Sequence, residues 1–240
     1  MPLNHTYDYQ FDDGLGPWTS WFAPSLITGD VGAEDNYVRL HAAGSTDPNH
    51  IDNIGPIWLL AHLSSPVVGA AGILDLRTAE IEIRVRGTDF DANGTNLVVW
   101  VASYLPEPTV TEGYYYGLQV TNWAFTATNI TSQINGDWQT LTITLDSDPA
   151  HWTYAGNYIS GQGDWAKRYE YLDLETTLSA VDATLHLAFV GDSPDQGPKG
   201  FLDIASITVR TENPATPVGA QLQGWETFTA VEDAPFAGQL

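Results

Sequence analysis

The sequence has no cysteine and few basic residues, and each shortage excludes a class of protein. Without cysteine, the 240-residue chain can form neither disulfide bonds nor thiolate metal sites. It carries 8 Lys and Arg residues against 30 Asp and Glu residues, which gives a formal net charge of −22 at pH 7. Because nucleic acids and anionic membranes are bound by basic surfaces, this balance argues against both partners. It favours bound cations such as calcium, or a high-salt setting, and solubility alone is the competing interpretation.

Long apolar runs are also missing. No segment approaches the roughly 20 apolar residues of a membrane-spanning helix, so we expect no membrane insertion. The opening MPLNHTYDYQFDDG has neither the basic nor the apolar region of a secretory signal peptide. Hydrophobic residues nevertheless make up 43% of the chain and aromatic residues 12%, which is enough to build a core.

Alternating apolar and polar residues predict β-strands along most of the chain. In residues 79–86, Ile81, Ile83 and Val85 share one face and charged residues occupy the other. Similar patterns predict further strands at 97–105, 114–121, 138–145, 183–190 and 201–209, whereas 171–181 favours a short helix. One apolar face with a period of two is typical of antiparallel sheets covered on one side. We therefore predict an all-β fold, an antiparallel β-sandwich of jelly-roll type with long aromatic loops, one of them at 146–170.

The composition changes after Arg210, and this change divides the chain. The predicted strands follow one continuous pattern, so residues 1–210 are expected to form one sandwich domain. Residues 211–224, TENPATPVGAQLQG, have the proline- and glycine-containing, weakly apolar composition of a linker. Residues 225–240 then lie outside the domain.

An acidic turn at residues 89–94 is a candidate metal site. Asp89, Asp91 and Asn93 alternate ahead of Gly94 like the first half of a D-x-D-x-N-G calcium loop. An EF-hand would need a bidentate Glu at the twelfth position, which is Trp100 in a predicted strand. The pattern therefore indicates either a calcium site in a β-loop or a solvated hairpin turn with Asp and Asn capping, and it favours the turn.

Aromatic residues are frequent, with 9 Trp and 11 Tyr, and they suggest a carbohydrate site. Sugars pack their C–H faces on aromatic rings, while their hydroxyls bond polar side chains. If the predicted strands form one sheet, its outward face gathers a set of candidate ligand-binding residues: Glu82, Arg84, Trp100, Tyr115, Gln119 and His186. The segment 151–169 adds Trp152 and Trp165, either along the edge of a cleft or in a lid packed on the core. An ordinary polar sheet face with cross-strand Glu–Arg pairs is the competing interpretation.

No catalytic motif is complete, and no catalytic residue is assigned. The motifs of serine hydrolases, zinc proteases and phosphate-binding loops are absent. Glu80 and Glu82 lack the remaining carboxylate of a jelly-roll glucanase. Jelly-roll polysaccharide lyases use residue types that are available here without the lyases' contiguous motifs: Arg84, Gln119, His186 and Tyr115. A polysaccharide lyase or glycoside hydrolase is therefore the first alternative function.

FDDGLGPW at 11–18 opens the domain, and FLDIASITV at 201–209 closes it. Both phrases resemble those at the two ends of jelly-roll carbohydrate-binding modules of the galactose-binding-like superfamily. The resemblance implies that the first and last strands lie side by side and that the ligand is a glycan or polysaccharide. It also implies a structural calcium held by acidic residues near both ends, which in this sequence are Asp12 or Asp13 and Asp203. An ordinary carboxylate on an edge strand is the competing interpretation of Asp203.

The tail TFTAVEDAPFAGQL, residues 227–240, resembles the first strand of cadherin-like and Ig-like tandem repeats of large secreted bacterial calcium-dependent proteins. This resemblance implies that 225–240 is the truncated start of a following repeat. The domain is then one monomeric module of a longer secreted or cell-surface bacterial protein. We therefore expect an extracellular carbohydrate-binding module, lectin-like or adhesin-like and stabilised by calcium. A structural capping domain without a ligand is the second alternative.

Overall fold

Twelve strands and one short α-helix are formed by the residues that the computed structural model describes, namely 2–11, 15–16, 18, 25–28, 36–41, 52–54, 57–66, 72–104, 120–158, 172–193 and 196–216. The strands are β1 (His5–Gln10), β2 (Ser25–Thr28), β3 (Asn36–His41), β4 (Asp52–Ile54), β5 (Ile57–Pro66), β6 (Ala79–Asp91), β7 (Asn96–Tyr104), β8 (Val120–Phe125), β9 (Gln139–Leu145), β10 (Trp152–Tyr158), β11 (Thr184–Gly191) and β12 (Lys199–Thr211). The helix α1 is Leu174–Ser179, and 3₁₀ turns lie at Thr131–Gln133 and Pro149–His151.

The strands form two antiparallel sheets of six strands each. In sheet A the order is β2-β3-β12-β6-β9, and β1 also pairs with β12. In sheet B the order is β10-β8-β7-β11-β5-β4. The protein is thus an all-β antiparallel sandwich of jelly-roll type, which confirms the predicted fold class.

The inner faces of the two sheets meet in one apolar core. On β6, buried residues alternate with partly exposed ones, because successive side chains of a strand point to opposite faces. The side chains that meet in the core include three from β6 and three from β11: Ile81, Ile83, Val85, Leu185, Leu187 and Phe189. Fully burying one such side chain stabilises the fold by about 1.5–3 kcal/mol. The inward faces predicted for these two strands are confirmed.

The first and last strands lie side by side, as the resemblance implies. β1 pairs with the second half of β12, from His5 opposite Thr211 to Gln10 opposite Ser206. β3 pairs with the first half of β12, and β6 runs along the other edge of β12. Residues of β12 therefore have cross-strand neighbours on both sides, and an outward-facing side chain on β12 lies at the centre of sheet A.

A tight turn joins β6 to β7 but carries the chain from one sheet to the other. Thr95 N donates to Ala92 O at 2.9 Å, and the two residues between them, Asn93 and Gly94, have φ of 48° and 82°. Positive φ at both central positions is the geometry of a type I′ turn. Asp89, with φ of 49°, adds a second bend near the end of β6. The predicted turn is confirmed, but β6 pairs with β9 and β12 whereas β7 pairs with β8 and β11, so the two strands do not form a hairpin.

β10 lies inside residues 146–170, so the prediction of a continuous loop there is wrong. The sequence WTYAGNY contains strand-forming aromatics, but the register against β8 shifts between Tyr154 and Gly156. That irregularity breaks the alternation by which the other strands are recognised. β2 to β5 are likewise missing from the predicted strands. β2 and β4 have only four and three residues, β5 lacks a regular alternation, and the alternation of β3 spans only six residues.

Helix α1 packs against sheet B and begins with a side-chain cap. Asp173 accepts a hydrogen bond from Thr176 N at 2.7 Å, as an N-cap carboxylate does. Leu174, Thr177 and Leu178 are buried, so the short helix is held by packing more than by its own propensity. Within the described residues, none of the helices is long and apolar enough to cross a membrane.

The chain after β12 stays attached to the domain for several residues. Thr216 and Ile73 exchange two backbone hydrogen bonds of 2.9 Å each. The Asn213 amide donates to Asp75 Oδ2 at 2.7 Å. Residues 211–216 are therefore anchored to the sandwich, although the sequence assigns them to a linker. Residues 217–240, with the rest of the predicted linker and the predicted repeat strand, lie outside the described residues.

Candidate functional site

The two sheets separate the predicted ligand-binding residues. Glu82 and Arg84 are on β6 in sheet A, whereas Trp100 and His186 are neighbours on β7 and β11 in sheet B. The premise that these strands form one sheet is wrong, because the turn after β6 sends β7 into the opposite sheet. The same separation keeps Arg84 and His186, two of the residue types shared with lyases, from meeting in one centre. Tyr115, Gln119 and Trp165 lie outside the described residues.

Trp100 is packed rather than presented to a ligand. Its side chain is 2% exposed, and its Nε1 donates to Asn122 Oδ1 at 3.0 Å. The ring meets the edge of His186 at a centroid distance of 6.3 Å, and His186 Nε2 lies 2.7 Å from Thr184 Oγ1. Trp100 belongs to a small buried cluster separate from the main core: Val98, Trp100, Ala124, Ala155, Ala188 and Val190.

Trp152 is part of the main core. It is 6% exposed, and its ring packs on Phe125 at a centroid distance of 5.1 Å. Its Nε1 donates to the backbone oxygen of Asp146 at 2.6 Å. Of the two roles expected for this tryptophan, cleft edge or packing on the core, the structure has the second.

The residue of greatest interest on sheet A is Asp203, which has two arginines as its cross-strand neighbours. Asp203 lies opposite Arg39 of β3 on one side and opposite Arg86 of β6 on the other. Arg39 donates from Nε and Nη2 to the two carboxylate oxygens at 2.7 and 2.8 Å, a bidentate pair. Arg86 Nε donates to Oδ2 at 2.9 Å, and Thr88 Oγ1 donates to the same oxygen at 3.3 Å.

This arrangement corrects the assignment of Asp203 as a calcium ligand. Its side chain is fully buried, and both carboxylate oxygens accept hydrogen bonds from guanidinium groups. A cation at the same oxygens would have to displace two positive charges that already neutralise the carboxylate. Asp203 therefore pairs arginines instead of holding a metal.

Aromatic rings flank both guanidiniums. The Arg39 guanidinium carbon lies 5.0 Å from the centroid of Phe201 and 5.7 Å from that of Tyr37. The Arg86 guanidinium carbon lies 5.0 Å from Tyr37 and 4.8 Å from Trp138, and its Nη2 donates to the Tyr37 hydroxyl at 3.1 Å. These distances are within the range of cation–π interactions. We call this set the arginine–aromatic cluster: Tyr37, Arg39, Arg86, Trp138, Phe201 and Asp203.

The cluster combines a rigid base with a partly open surface. Tyr37 is 2% exposed and Asp203 is fully buried. Trp138 and Phe201 are half-buried, and the side chains of Arg39 and Arg86 are 27% and 19% exposed. The hydrogen bonds to Asp203 raise the pKa of Arg39 above its ordinary value, so its guanidinium stays charged at any physiological pH.

Simple alternation in the sequence places these residues on one face, although they are not among the predicted site residues. Tyr37 and Arg39 alternate with Val38 and Leu40, which are buried in the core. Asp203 likewise lies between the core residues Leu202 and Ile204. The alternation shows that each strand has a polar face. It does not show that β3, β12, β6 and the start of β9 lie in that order, and this order is what brings the residues together.

Glu82 and Arg84 share this outer face of sheet A with the cluster. Arg210 Nη1 donates to Glu80 at 2.8 Å and to Glu82 at 3.3 Å. Glu82 is thus engaged in a cross-strand ion pair, which is the alternative that the sequence leaves open. Arg84 lies opposite Ser206 of β12 and Thr140 of β9.

The acidic turn before β7 does not fit a calcium site as it stands. Asp91 Oδ1 accepts from Asn93 N at 2.9 Å, and the Asn93 amide donates to Gly197 O at 3.0 Å. The first bond is a local cap of the turn and the second ties the turn to the loop after β11, and neither gathers side-chain oxygens around one point. In the described part of the chain, no group of three or more His, Cys, Asp or Glu side chains could hold a metal ion. Asp12 and Asp13 lie outside it.

Comparisons with known proteins give distant structural likeness only. No protein-family model and no curated protein matches the chain. A xylan-binding module, CBM15, is 12% identical with a TM-score of 0.39 and covers 88% of this chain and 99% of its own. Domain 4 of AbnA, a GH43 extracellular arabinanase from Geobacillus stearothermophilus solved in complex with arabinotriose, is 14% identical with a TM-score of 0.39, covering 88% and 93%. The adhesin domain of Lys-gingipain from Porphyromonas gingivalis W83 is 15% identical with a TM-score of 0.34, covering 88% and 100%. At these values the likeness identifies neither a family nor a ligand.

Proposed function

We propose that this protein is a glycan-binding module and that its ligand lies on the outer face of sheet A, at the arginine–aromatic cluster. The observation that carries the proposal is the contact of two arginine guanidiniums with three aromatic rings on one partly open sheet face. Sugar recognition needs both components, because C–H faces pack on rings and hydroxyls bond polar groups.

The cluster is preorganised for such contacts. Arg39 and Arg86 are fixed by their bonds to Asp203, so a ligand would not have to order two long side chains. Immobilising a flexible side chain at an interface costs about 0.5–1.5 kcal/mol, which this arrangement avoids. Phe201 lies beside Arg39 and Trp138 lies beside Arg86. Both aromatic residues are half-buried, so each exposes part of its surface to a ligand.

The wider setting is part of the same proposal. The resemblance of residues 227–240 to the start of a tandem repeat supports a secreted or cell-surface bacterial protein with further modules. Calcium stabilisation rests on Asp12 and Asp13 alone, since Asp203 is paired with arginines.

A structural role is the second candidate, and one observation favours it. Asp203 is fully buried, and its strand β12 lies between β3 on one side and β6 on the other. The cluster therefore also joins these three strands. A pure spacer or cap would use this ion-pair network for stability and bind no sugar.

The test is a glycan array with neutral and acidic polysaccharides, probed with the full chain and with Trp138→Ala. We expect binding that falls roughly fivefold or more in Trp138→Ala, since one aromatic contact is worth about 0.5–1.5 kcal/mol beyond its buried area. Thr144→Ala is the matched control, because Thr144 is exposed on the edge strand β9 and outside the cluster.

Two results would contradict the proposal. An array without hits would leave the structural role as the remaining candidate function. Binding that survives Trp138→Ala but is lost in His186→Ala would move the ligand to sheet B.

A further inference from the structure

We infer that the arginine–aromatic cluster selects glycans that carry a carboxylate, such as polyuronide chains. The inference rests on the proposed glycan-binding function and names the class of ligand for that site. It is carried by the charge of the cluster, the geometry of Arg39 and the surroundings of both.

The charge at the centre of the cluster favours an anionic ligand. Asp203 shares its single negative charge between Arg39 and Arg86, so these three groups together carry one net positive charge. The charge of these three groups is thus opposite in sign to the formal net charge of −22 of the whole chain. A carboxylate of a ligand would be attracted to the two guanidiniums.

The guanidinium of Arg39 has one nitrogen, Nη1, that does not bond Asp203. Its Nε and Nη2 bond Asp203, while Nη1 has no acceptor among the described residues. The side chain is 27% exposed, so ligand can reach it. A guanidinium offers five N–H donors in a fixed plane, and a planar carboxylate matches two of them at once.

Aromatic rings lie beside the same guanidinium. Phe201 and Tyr37 have their ring centroids 5.0 and 5.7 Å from the Arg39 guanidinium carbon. A uronic acid ring supplies both a carboxylate for this guanidinium and a C–H face for Phe201 or Trp138.

The acidity of the whole chain does not oppose this contact strongly. At physiological ionic strength the Debye length is about 8 Å, so exposed carboxylates farther away are largely screened. On the same sheet face, Glu80 and Glu82 are paired with Arg210. A direct contact of a ligand carboxylate with Arg39 or Arg86 would be screened far less than these distant charges.

The experiment is isothermal titration of the full chain with tetragalacturonate and with its methyl ester, at about 0.15 M salt. Calcium is omitted, because polyuronides bind that ion themselves. Charge-assisted hydrogen bonds contribute about 1.5–3 kcal/mol. We therefore expect the acid to bind at least roughly tenfold more tightly than the ester.

Two variants of Arg39 and one control separate recognition from stability. Arg39→Gln should abolish the difference between acid and ester. Arg39→Lys keeps a charge beside Asp203 and should keep part of the difference, even if Arg39→Gln proves too unstable to measure. Thr144→Ala should match the parent chain, and thermal unfolding of each variant shows whether it is folded.

Three results would overturn the inference. Equal affinity for acid and ester would do so while leaving the proposed glycan binding intact. Dextran sulfate binding as tightly as tetragalacturonate would replace carboxylate selection by general anion binding. If neither galacturonate probe binds, polyuronides are excluded, and the glycan array then decides separately whether the proposed function also fails.

Discussion

At the scale of single residues, Asp203 determines the geometry of the candidate site. It is fully buried, and Arg39, Arg86 and Thr88 all donate to it. A buried carboxylate would be costly alone, but three donors satisfy it. The sequence identifies Asp203 as a candidate functional residue but assigns it the wrong partner. The reason is that a short acidic phrase does not show whether the carboxylate binds a metal ion or pairs with an arginine of the neighbouring strand.

Asp203→Asn should destabilise the fold by about 3–5 kcal/mol, since removing one member of a buried ion-pair network leaves the others uncompensated. Urea unfolding measures the change in the free energy of unfolding. Glu82→Gln is the matched control, because the Glu82–Arg210 pair is partly exposed and should be worth at most about 1 kcal/mol. Similar losses for the two variants would contradict the central position of Asp203.

At the scale of elements, alternation predicts the faces of strands but not the sheet to which each strand belongs. β6 and β11 have their apolar and polar faces as predicted. The tight turn at Asn93 and Gly94 is also evident from the sequence, yet it joins two sheets instead of two neighbours in one. That difference separates Glu82 from Trp100. Sheet membership depends on long-range pairing, which local patterns do not encode.

A substitution at Gly200 tests the close packing of β12 against the bend at Asp89, near the end of β6. The φ of Gly200 is +81°, and a Cβ at this position would lie 2.1 Å from the backbone oxygen of Asp89. Gly200→Ala should therefore destabilise the fold by clearly more than the roughly 1–2 kcal/mol that a left-handed conformation costs by itself. Gly16→Ala is the control, since Gly16 has φ of +56° and no atom of a described residue lies within 4 Å of the added Cβ. Chemical unfolding that gives equal losses would show that the close approach to Asp89 is absent.

At the scale of the whole molecule, polar contacts hold the first strand and residues 212–216 to the sandwich. β1 pairs along β12. Asp75 accepts hydrogen bonds from Arg77 and from Asn213, and Asn213 belongs to the segment after β12. Arg77 also reaches Glu175 of α1 at 2.9 Å. The resemblance of the chain ends to carbohydrate-binding modules predicted the pairing of first and last strands. It could not predict that residues 211–216 are anchored, because their composition is that of a linker.

Asp75 should make this anchoring sensitive to acid. Burial alone raises the pKa of Asp75, but hydrogen bonds from Arg77 and Asn213 outweigh it and lower the pKa below its ordinary value. A lowered pKa in the folded state means that the stabilisation is present above the unfolded pKa of about 3.9 and is lost as pH falls through the folded value. Melting curves from pH 6 down to about 2.5 should show a steeper loss for the parent chain than for Asp75→Asn. Parallel curves would contradict this.

Calcium is the remaining prediction for the molecule as a whole. If Asp12 and Asp13 hold an ion only in the folded state, saturating calcium adds about 2.7 kcal/mol at 100 times Kd. For a domain of this size, a chelator should then lower Tm by roughly 5–10 °C. An unchanged Tm, with no calcium found by elemental analysis, would show that the predicted calcium site is wrong.

The measurement that tests the central claim most directly is a nuclear magnetic resonance titration of the ¹⁵N-labelled full chain with a glycan that binds on the array. The account predicts that the side-chain N–H signals of Arg39, Arg86 and Trp138 shift together as the glycan is added, while that of Arg77, beside α1, stays in place. Shifts confined to the Trp100 and His186 signals of sheet B, with the cluster unchanged, would contradict it.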